Sequence, residues 1–493
     1  MAFSRTEKRR RGFVLALLCV AQFMVVLDFS IVNIALPSMQ KDLGLSTQNL
    51  QWIVSAYSLT FGGFLMLGGR MGDLYGRRKL FMLGLLLFSL SSLAGGLAFS
   101  GIWLITTRAI QGLGAALIAP SCLSLITVTF AEGEERNKAF GMIGSIASFG
   151  FAAGAILGGL LTAGPGWRWV MFVNVPIGCV AFALAPFLLA ESRVHSEKRQ
   201  LDVPGAVLIT AAVVALVYAL AQGNQWGWIS PSILALLALS VILLAAFVVV
   251  ELRAPSPLMD LSIFRQRTVT GANLINLLAP GSFGAFVFVL TLFMQKVLGY
   301  SAIEMGLAFL PLALVILVFS NASSRLVMRL GARRLLITGL VITVIGFVLF
   351  LGLSATGAYA STLLPGLLVI GLGMGCVFST VVIVATDGVS DEQQGLVSGL
   401  FNTTMQVGSG LALAIIVAIS SGRTTVLLQG REAMKVALTG GTLSALIACA
   451  AFDALAALVA IFVLRGKPAR PSSDLVFVHE EVESRQATGS LAR

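Results

Sequence analysis

One carboxylate, Asp28, lies inside the apolar run VVLDFSIVNIALP at residues 25–37. In a soluble helix such an acid turns toward water, but in a segment that crosses a bilayer it needs a partner. A second apolar run, LITTRAIQGLGAA at residues 104–116, contains the cation Arg108. Burial in lipid favours a neutral acid, whereas a nearby guanidinium favours the carboxylate. This pair of residues is therefore the first candidate for chemistry in the chain.

The composition places both runs in a membrane. The 493-residue chain is 57% hydrophobic and 11% charged, with a mean hydropathy of +0.95. Soluble domains are about 25% charged, so the surplus apolar surface needs lipid. The net charge of +11 does not indicate nucleic acid, because the basic residues lie in short clusters between apolar runs, like anchors that face an anionic leaflet. We expect the lipid bilayer as a partner and no nucleic acid.

Fourteen segments are long enough to span the bilayer, which requires about 20 mostly apolar residues. An all-α integral membrane protein is therefore expected, and the even number of spans places both termini on one side. The predicted spans are 13–35, 50–69, 80–99, 102–127, 138–162, 169–190, 203–222, 231–251, 269–295, 302–324, 335–355, 359–385, 395–420 and 440–464.

The distribution of charge predicts which side the termini occupy. With the N terminus in the cytoplasm, 26 of the 33 Lys and Arg residues fall in cytoplasmic segments, as the positive-inside rule requires. All six tryptophans fall at the opposite ends of the spans, where an interfacial aromatic belt is expected. Both termini of this multi-pass membrane protein are predicted to be cytoplasmic.

An internal repeat predicts two bundles. RMGDLYGRRK (70–79) follows the second span and RLVMRLGARR (325–334) follows the tenth, and their alignment pairs Arg70 with Arg325, Gly76 with Gly331, Arg78 with Arg333 and Asp73 with Met328. Similar loops eight spans apart indicate duplicated halves, a plan that transporters use. The predicted domains are a six-helix bundle (1–200), two intercalated helices (201–255), a second six-helix bundle (256–464) and a disordered cytoplasmic tail (465–493).

Five motifs in order resemble the major facilitator superfamily, specifically its fourteen-helix drug:proton antiporter branch. They are LDFSIVNIALP (27–37), GGRMGDLYGRRKLF (68–81), LITTRAIQGLGAA (104–116), WRWVMFVNVPIG (167–178) and ELRAPSPLMDLSIF (251–264). One motif departs from the family pattern: GAILGG (154–159) has Ala155 where the branch usually has a proline that bends the fifth helix. The resemblance implies alternating access, proton coupling and a monomer.

The implied fold makes the first and fourth spans neighbours. At 1.5 Å per residue, Asp28 lies roughly 10 Å and Arg108 roughly 9 Å from the predicted outer face, so the two charges can meet. Two interpretations follow. Either the acid takes up and releases a proton as its surroundings change between access states, or the pair is permanently ionised and holds the helices together.

The loop after the second span is a candidate cytoplasmic latch, formed by Gly69, Asp73, Gly76, Arg77 and Arg78. In the family such charge pairing holds one access state. The other interpretation is that these basic residues serve only to orient the protein in the membrane, because basic loops orient any membrane protein. The fifth span carries the antiporter-type motif residues Gly150, Gly154, Gly158 and Gly159, which allow close helix packing and fit a moving gate equally well.

Several polar residues inside spans are candidates for lining a substrate cavity or for bonding to adjacent helices. They are Gln22, Ser30, Asn33, Gln111 and Asn276. At 100° per residue, Asp28 points about 120° away from Gln22 and so addresses different neighbours. Asp453, in the last span, has no basic residue within two turns. It needs to be neutral or to reach a polar partner across helices, and it is a candidate second protonation site.

The expected function is secondary active export of small amphipathic drugs or antibiotics in exchange for protons. Proton-coupled uptake or metabolite exchange on the same fold is the alternative. A membrane enzyme is disfavoured because the two histidines, His195 and His479, lie in predicted cytoplasmic segments and form no metal-ligand cluster. No GxxxxGK[ST] phosphate loop is present, which disfavours an ATP-driven pump. No cofactor and no metal are expected.

Overall fold

The computed structural model describes residues 5–130, 134–192, 202–254, 261–386 and 391–464, and the regular structure in these ranges is helical. A helix bonds its backbone groups internally, as lipid requires. The α-helices of these ranges are α1 (Arg5–Leu43), α2 (Thr47–Leu50), α3 (Trp52–Tyr75), α4 (Arg77–Gly96), α5 (Gly101–Thr129), α6 (Glu134–Ala163), α7 (Arg168–Phe172), α8 (Asn174–Leu188), α9 (Val203–Trp226), α10 (Pro231–Arg253), α11 (Arg267–Lys296), α12 (Ala302–Leu330), α13 (Ala332–Leu349), α14 (Leu364–Thr386), α15 (Asp391–Gln429) and α16 (Met434–Phe462).

The predicted all-α membrane fold is confirmed. Over the described ranges, thirteen helical segments are long and apolar enough to cross a membrane, with α7 and α8 counted together. The remaining predicted span, 138–162, corresponds to α6, whose described apolar stretch is Ala153–Ala163. The predicted span 169–190 divides at Val173, because Pro176 has no N–H for the carbonyl one turn earlier.

The two halves of the chain pack in the same pattern. In the first half, α5 lies against α3 and α4, while α1 lies against α6 and α8. In the second half, α14 lies against α12 and α13, while α11 lies against α15 and α16. The helices α9 and α10, from the segment predicted to be intercalated, form a hairpin, and α9 contacts α3 and α15. The predicted tail, 465–493, lies outside the described residues.

The halves touch each other mainly through two helix pairs, α3 with α15 and α6 with α12. We call one side of the bundle the tryptophan end, defined by Trp52, Trp103, Trp167 and Trp226, and the other side the arginine end, defined by Arg70, Arg78, Arg325 and Arg333. Toward the tryptophan end, Gly306 of α12 lies against the Ala155 carbonyl of α6. On the same side, the Gln295 amide of α11 donates to the Ile34 carbonyl of α1 at 3.2 Å. The two halves are therefore in contact near the tryptophan end.

Gly76 and Gly331, which the repeat aligns, form the same kind of turn between two helices in their respective halves. Each ends one helix and begins the next, with φ of +114° and +81° respectively. Only glycine adopts such values of φ without strain. The repeat seen in the two loop sequences is thus a repeat of backbone conformation.

Arg78 and Arg333 also have equivalent roles. Arg78 donates to the Leu189 carbonyl at 3.2 Å, just after α8, and Arg333 donates to the Ile461 carbonyl at 2.6 Å, in the last turn of α16. The final carbonyls of a helix lack helical partners and carry the negative end of its dipole. Each arginine therefore fastens the last helix of its half to the second and third.

We predict that Gly76→Ala lowers the stability of the protein more than Gly331→Ala does. A positive φ costs a residue with a Cβ about 1–2 kcal/mol, which affects both variants. At Gly76 the new Cβ would also stand 2.5 Å from Glu191 Oε1, whereas no atom lies within 4 Å at Gly331. Thermal unfolding of the purified variants measures which of the two is less stable. Gly12→Ala, in open space on α1, is the control, and equal losses at Gly76 and Gly331 would contradict the prediction.

Candidate functional site

Asp28 and Arg108 meet inside the first half, as their matched depths predict. Arg108 Nη1 lies 2.5 Å from Asp28 Oδ2, and the two side chains are 1% and 0% exposed respectively. The acid comes from α1 and the cation from α5, which pack against each other. A buried charge without a partner is strongly destabilising, so each residue is tolerated in the apolar bundle because the other is present.

Two amides complete the surroundings of the acid. Gln111 Nε2 donates to Asp28 Oδ1 at 2.8 Å, while Gln111 Oε1 accepts from Arg108 at 2.6 Å. Asn174 Nδ2 donates to the same Asp28 oxygen at 2.9 Å. Both amides also approach Ser92 Oγ, at 3.3 Å and 3.2 Å. The carboxylate is thus held by side chains from α5 and α8, with α4 behind them.

Arg108 has acceptors besides the acid. Its Nε donates to the Ile53 carbonyl at 3.0 Å, and its guanidinium carbon lies 4.3 Å from the centre of the Tyr57 ring, a cation–π distance. Gln111 Oε1 is a third partner. Arg108 therefore has three favourable contacts that do not depend on the charge of the acid.

Sequence reasoning misses Asn174, Ser92 and Tyr57. Asn174 lies in the apolar run FVNVPIG, and a polar residue inside a span is the same signal that singles out Asp28. Ser92 and Tyr57 carry no such signal, because serine and tyrosine are common in membrane helices. Their participation depends on how α3 and α4 pack against α5.

The predicted polar stripe on α1 faces other helices than the acid does. Ser30 lies against Gly154 of α6, and the Asn33 amide donates to a carbonyl of its own helix at 2.8 Å. Both side chains are buried, and Gln22 is half-buried. The cavity-lining role of these residues remains a prediction.

The other two candidate lining residues are fully buried in this conformation. Gln111 belongs to the network around Asp28. Asn276 of α11 donates to the Phe401 carbonyl of α15 at 2.5 Å. Each of them holds helices together here and does not face an open cavity.

The glycine stripe of α6 forms a surface for α1. A Cβ added at Gly150, Gly154 or Gly158 would lie within 3.3 Å of α1 side chains, in order those of Val26, Ser30 and Ile34. Gly159 faces the other way, toward the backbone of Ala302 in α12. The motif therefore lets α6 pack closely on one helix of each half.

The candidate latch ties the helices of the first half together. Arg77 Nη2 of α4 lies 2.8 Å from Asp73 Oδ1 of α3, across the turn at Gly76. The Arg78 backbone N–H donates to Glu191 Oε1 at 3.2 Å, and the Arg78 guanidinium lies 3.6 Å from Glu191 Oε2. Gly69 packs on α5. Both residues of the Asp73–Arg77 pair are replaced in the second half, by Met328 and Ala332.

Asp453 has a polar partner across helices, which is one of the two outcomes that the sequence left open. The side chain is fully buried in α16, and its Oδ1 lies 2.6 Å from Ser282 Oγ of α11. Within the part of the chain that the structure describes, no Lys, Arg or His forms an ion pair with it. No group of three or more His, Cys, Asp or Glu in those ranges is arranged to hold a metal ion.

The chain matches the sequence profile of the Major Facilitator Superfamily over residues 18–413. It is 40% identical to the puromycin resistance protein Pur8 of Streptomyces alboniger, covering 90% of this chain and 88% of that protein. It is 42% identical to the cephamycin export protein CmcT of Amycolatopsis lactamdurans (86% and 87% covered). The tetracenomycin C resistance and export protein of Streptomyces glaucescens is 34% identical (82% and 75%).

Solved structures share the fold at low sequence identity. The crystal structure of a bacterial homologue of the human lysosomal transporter Spinster aligns with a TM-score of 0.65 at 17% identity, covering 92% of this chain and 97% of that one. The human organic anion transporter MFSD10 aligns with a TM-score of 0.61 at 15% identity, covering 91% and 99%.

We predict that Asn174→Ala destabilises the protein more than Asn33→Ala. The first change removes one of the two amide donors to Asp28 Oδ1, and a hydrogen bond to a charged group contributes about 1.5–3 kcal/mol. The second removes a contact of Asn33 with its own helix. Melting temperatures of the purified variants measure the difference. Equal shifts would mean that the Asn174 amide does not stabilise the charge.

Proposed function

Because the chain belongs to the major facilitator superfamily, we propose that it exports amphipathic antibiotics or drugs across the bacterial cell membrane in exchange for protons. The relatives named for puromycin, cephamycin and tetracenomycin C support small organic substrates of varied skeleton. We further propose that a single chain is the transport unit, that both termini are cytoplasmic, and that the substrate leaves chemically unchanged, without a cofactor.

The observation that carries the proton coupling is the buried network around Asp28. A proton on Oδ2 neutralises the acid and ends its ion pair with Arg108 Nη1, while the contacts of Arg108 with Ile53, Tyr57 and Gln111 remain. Arg108 therefore keeps three uncharged partners when its counter-charge is lost. One charge moved through 100 mV yields about 2.3 kcal/mol, which is the energy available for export.

The segment of α3 that Arg108 contacts also faces the second half. Leu59 and Gly62 lie against α15. Gln51, Ser55 and Ser58 precede them by one or two turns and so lie along the same side of the helix. These three side chains are fully buried, and their polar atoms have no hydrogen-bond partner among the described groups.

Buried polar groups are usually bonded, so this row suits a conformation in which α3 and α15 have separated. Separation at the tryptophan end would let water or substrate bond to Gln51, Ser55 and Ser58. Arg108 contacts the neighbouring turn of α3 at the Ile53 carbonyl and the Tyr57 ring. Loss of its ion pair with Asp28 therefore changes how Arg108 acts on that turn. This link is how we propose that the proton controls the opening of the substrate path.

Puromycin transport in everted membrane vesicles tests the proposed function. Energised vesicles are expected to accumulate unmodified puromycin, and a protonophore is expected to abolish the accumulation. Accumulation in right-side-out vesicles instead would indicate uptake. Chemical conversion of puromycin would indicate an enzyme. The same assay with cephamycin and tetracenomycin C defines the breadth of the substrate class.

We predict that Asp28→Asn abolishes protonophore-sensitive export while the protein still reaches the membrane. Asparagine keeps the shape of the neutral acid and leaves Arg108 with its three other partners, but it cannot exchange a proton. Asp42→Asn is the matched control, because Asp42 is a half-exposed acid on the same helix that pairs with Arg168. Undiminished export by Asp28→Asn, at normal membrane abundance, would refute proton coupling at this residue.

We predict that Asp73→Asn slows export several-fold without changing its dependence on the proton gradient. The change releases Arg77 from its carboxylate partner, so one access state loses a contact at the arginine end while Asp28 is untouched. Initial rates of puromycin uptake into everted vesicles, measured over a series of pH values, separate the two effects. Lys79→Gln, an exposed neighbour on α4, is the control. A shifted pH profile in Asp73→Asn would contradict a pure latch.

A further inference from the structure

The second half contains a buried acid whose surroundings differ from those of Asp28. Asp453 is fully buried, at the level where α16 packs on α11. Ser282 Oγ lies 2.6 Å from its Oδ1, and Oδ2 has no hydrogen-bond partner among the described groups. An isolated carboxylate in such a place is very costly, whereas a neutral acid needs only ordinary hydrogen bonds.

The charged residues of the helices that pack around Asp453 lie toward the ends of those helices. On α16 itself the neighbouring titratable group is Cys449, whose thiol lies 3.6 Å from the Ser282 carbonyl. Arg333 of α13 bonds to carbonyls about two turns away, at Ala460 and Ile461. The other charged residues of α11, α13 and α15 belong to the end regions of these helices, at Arg267, Lys296, Arg334, Asp391, Glu392 and Arg423.

The second half also lacks a counterpart of the Arg108 cation. Gly112-Leu113-Gly114 of α5 aligns with Gly371-Leu372-Gly373 of α14, and in each half the first glycine packs on the second helix and the last on the third. This alignment places Leu367 at the position of Arg108 and Ile370 at the position of Gln111, both fully buried. The second half therefore has apolar side chains where the first half has the partners of its acid.

The hydroxyl of Ser282 restricts the protonation state of Asp453. Ser282 Oγ lies 2.9 Å from the Ala279 carbonyl and 2.6 Å from Asp453 Oδ1, but a hydroxyl has one hydrogen to donate. If Asp453 is neutral, its O–H donates to Ser282 and the serine donates to Ala279, so both contacts are hydrogen bonds. If Asp453 is ionised, the serine can satisfy only one of the two acceptors.

The site also adjoins α15, a helix of the second half that faces the first half. Next to Ser282, Gly281 packs on the Gly408 carbonyl of α15. The helix α15 is in turn the partner of α3 from the first half. A shift of α15 therefore acts directly on the turn of α11 that holds Ser282.

We propose that Asp453 is a second proton-binding site, carried by the second half, which is protonated in this conformation and releases its proton in another state of the transport cycle. The role in the cycle rests on the proposed function. Proton binding itself does not. The acid takes one proton onto a carboxyl oxygen and returns it when water or a second donor reaches Oδ2.

Infrared spectroscopy of the purified protein in lipid tests proton binding without any substrate. Wild-type protein and Asp28→Asn are expected to show a carboxylic C=O band that Asp453→Asn lacks, that Ser282→Ala shifts, and that loses intensity as the pH is raised. Thr439→Ala is the control, because that buried hydroxyl on α16 bonds to its own helix. A spectrum unchanged by Asp453→Asn would mean that the acid is ionised, and the proposal would be overturned.

Proton counting tests the role in the cycle. Initial rates of proton and puromycin movement are measured together in proteoliposomes, with protein-free liposomes subtracted. Two protons per puromycin are expected for wild type and for Thr439→Ala, and one for Asp453→Asn. The same ratio in wild type and Asp453→Asn would overturn the coupled role, as would a band that never titrates. A wild-type protein that moves no puromycin contradicts the proposed function, and the infrared titration then decides on the proton site alone.

Discussion

The contact between the Asp28 carboxylate and the Arg108 guanidinium is the constraint on which the first half depends. Neither charge is stable alone in an apolar bundle, so α1 and α5 must present them at one level and in one orientation. The two amides and the tyrosine ring around the pair then have defined places. Each of these neighbours satisfies one side of a charge, and together they recruit α3, α4 and α8 to the same point.

The two halves share a scaffold but not a chemistry. The glycine turn between the second and third helices and the arginine that fastens the sixth helix recur in both. Leu367 occupies the position of the buried cation in the second half, while Met328 and Ala332 replace the Asp73–Arg77 pair. The scaffold recurs in both halves because backbone geometry sets it. A charged pair, in contrast, can be absent from one half, because uncharged residues at both positions leave no charge without a partner.

Small residues bring the helices of the two halves into close contact at their boundary. Gly159 and Gly306 bring α6 and α12 together near the tryptophan end, and Gly62 and Gly410 do so for α3 and α15. Such contacts involve few side-chain hydrogen bonds, so the halves can separate and close again without breaking a strong polar network. The strong networks lie inside the first half, where they keep the bundle intact while it moves.

The sequence alone determined the fold class, the number of spans, the internal repeat and the matched depths of Asp28 and Arg108. These follow from one-dimensional signals, since lipid requires long apolar helices and an intramembrane charge requires a partner at its own depth. Tertiary structure decided which neutral side chains join them. Only the packing of distant helices brings Asn174 and Ser282 to a carboxylate and Ser92 to the Asn174 amide. Tertiary structure also decided which helix packs on each glycine surface, because a stripe of small residues does not specify which helix will cover it.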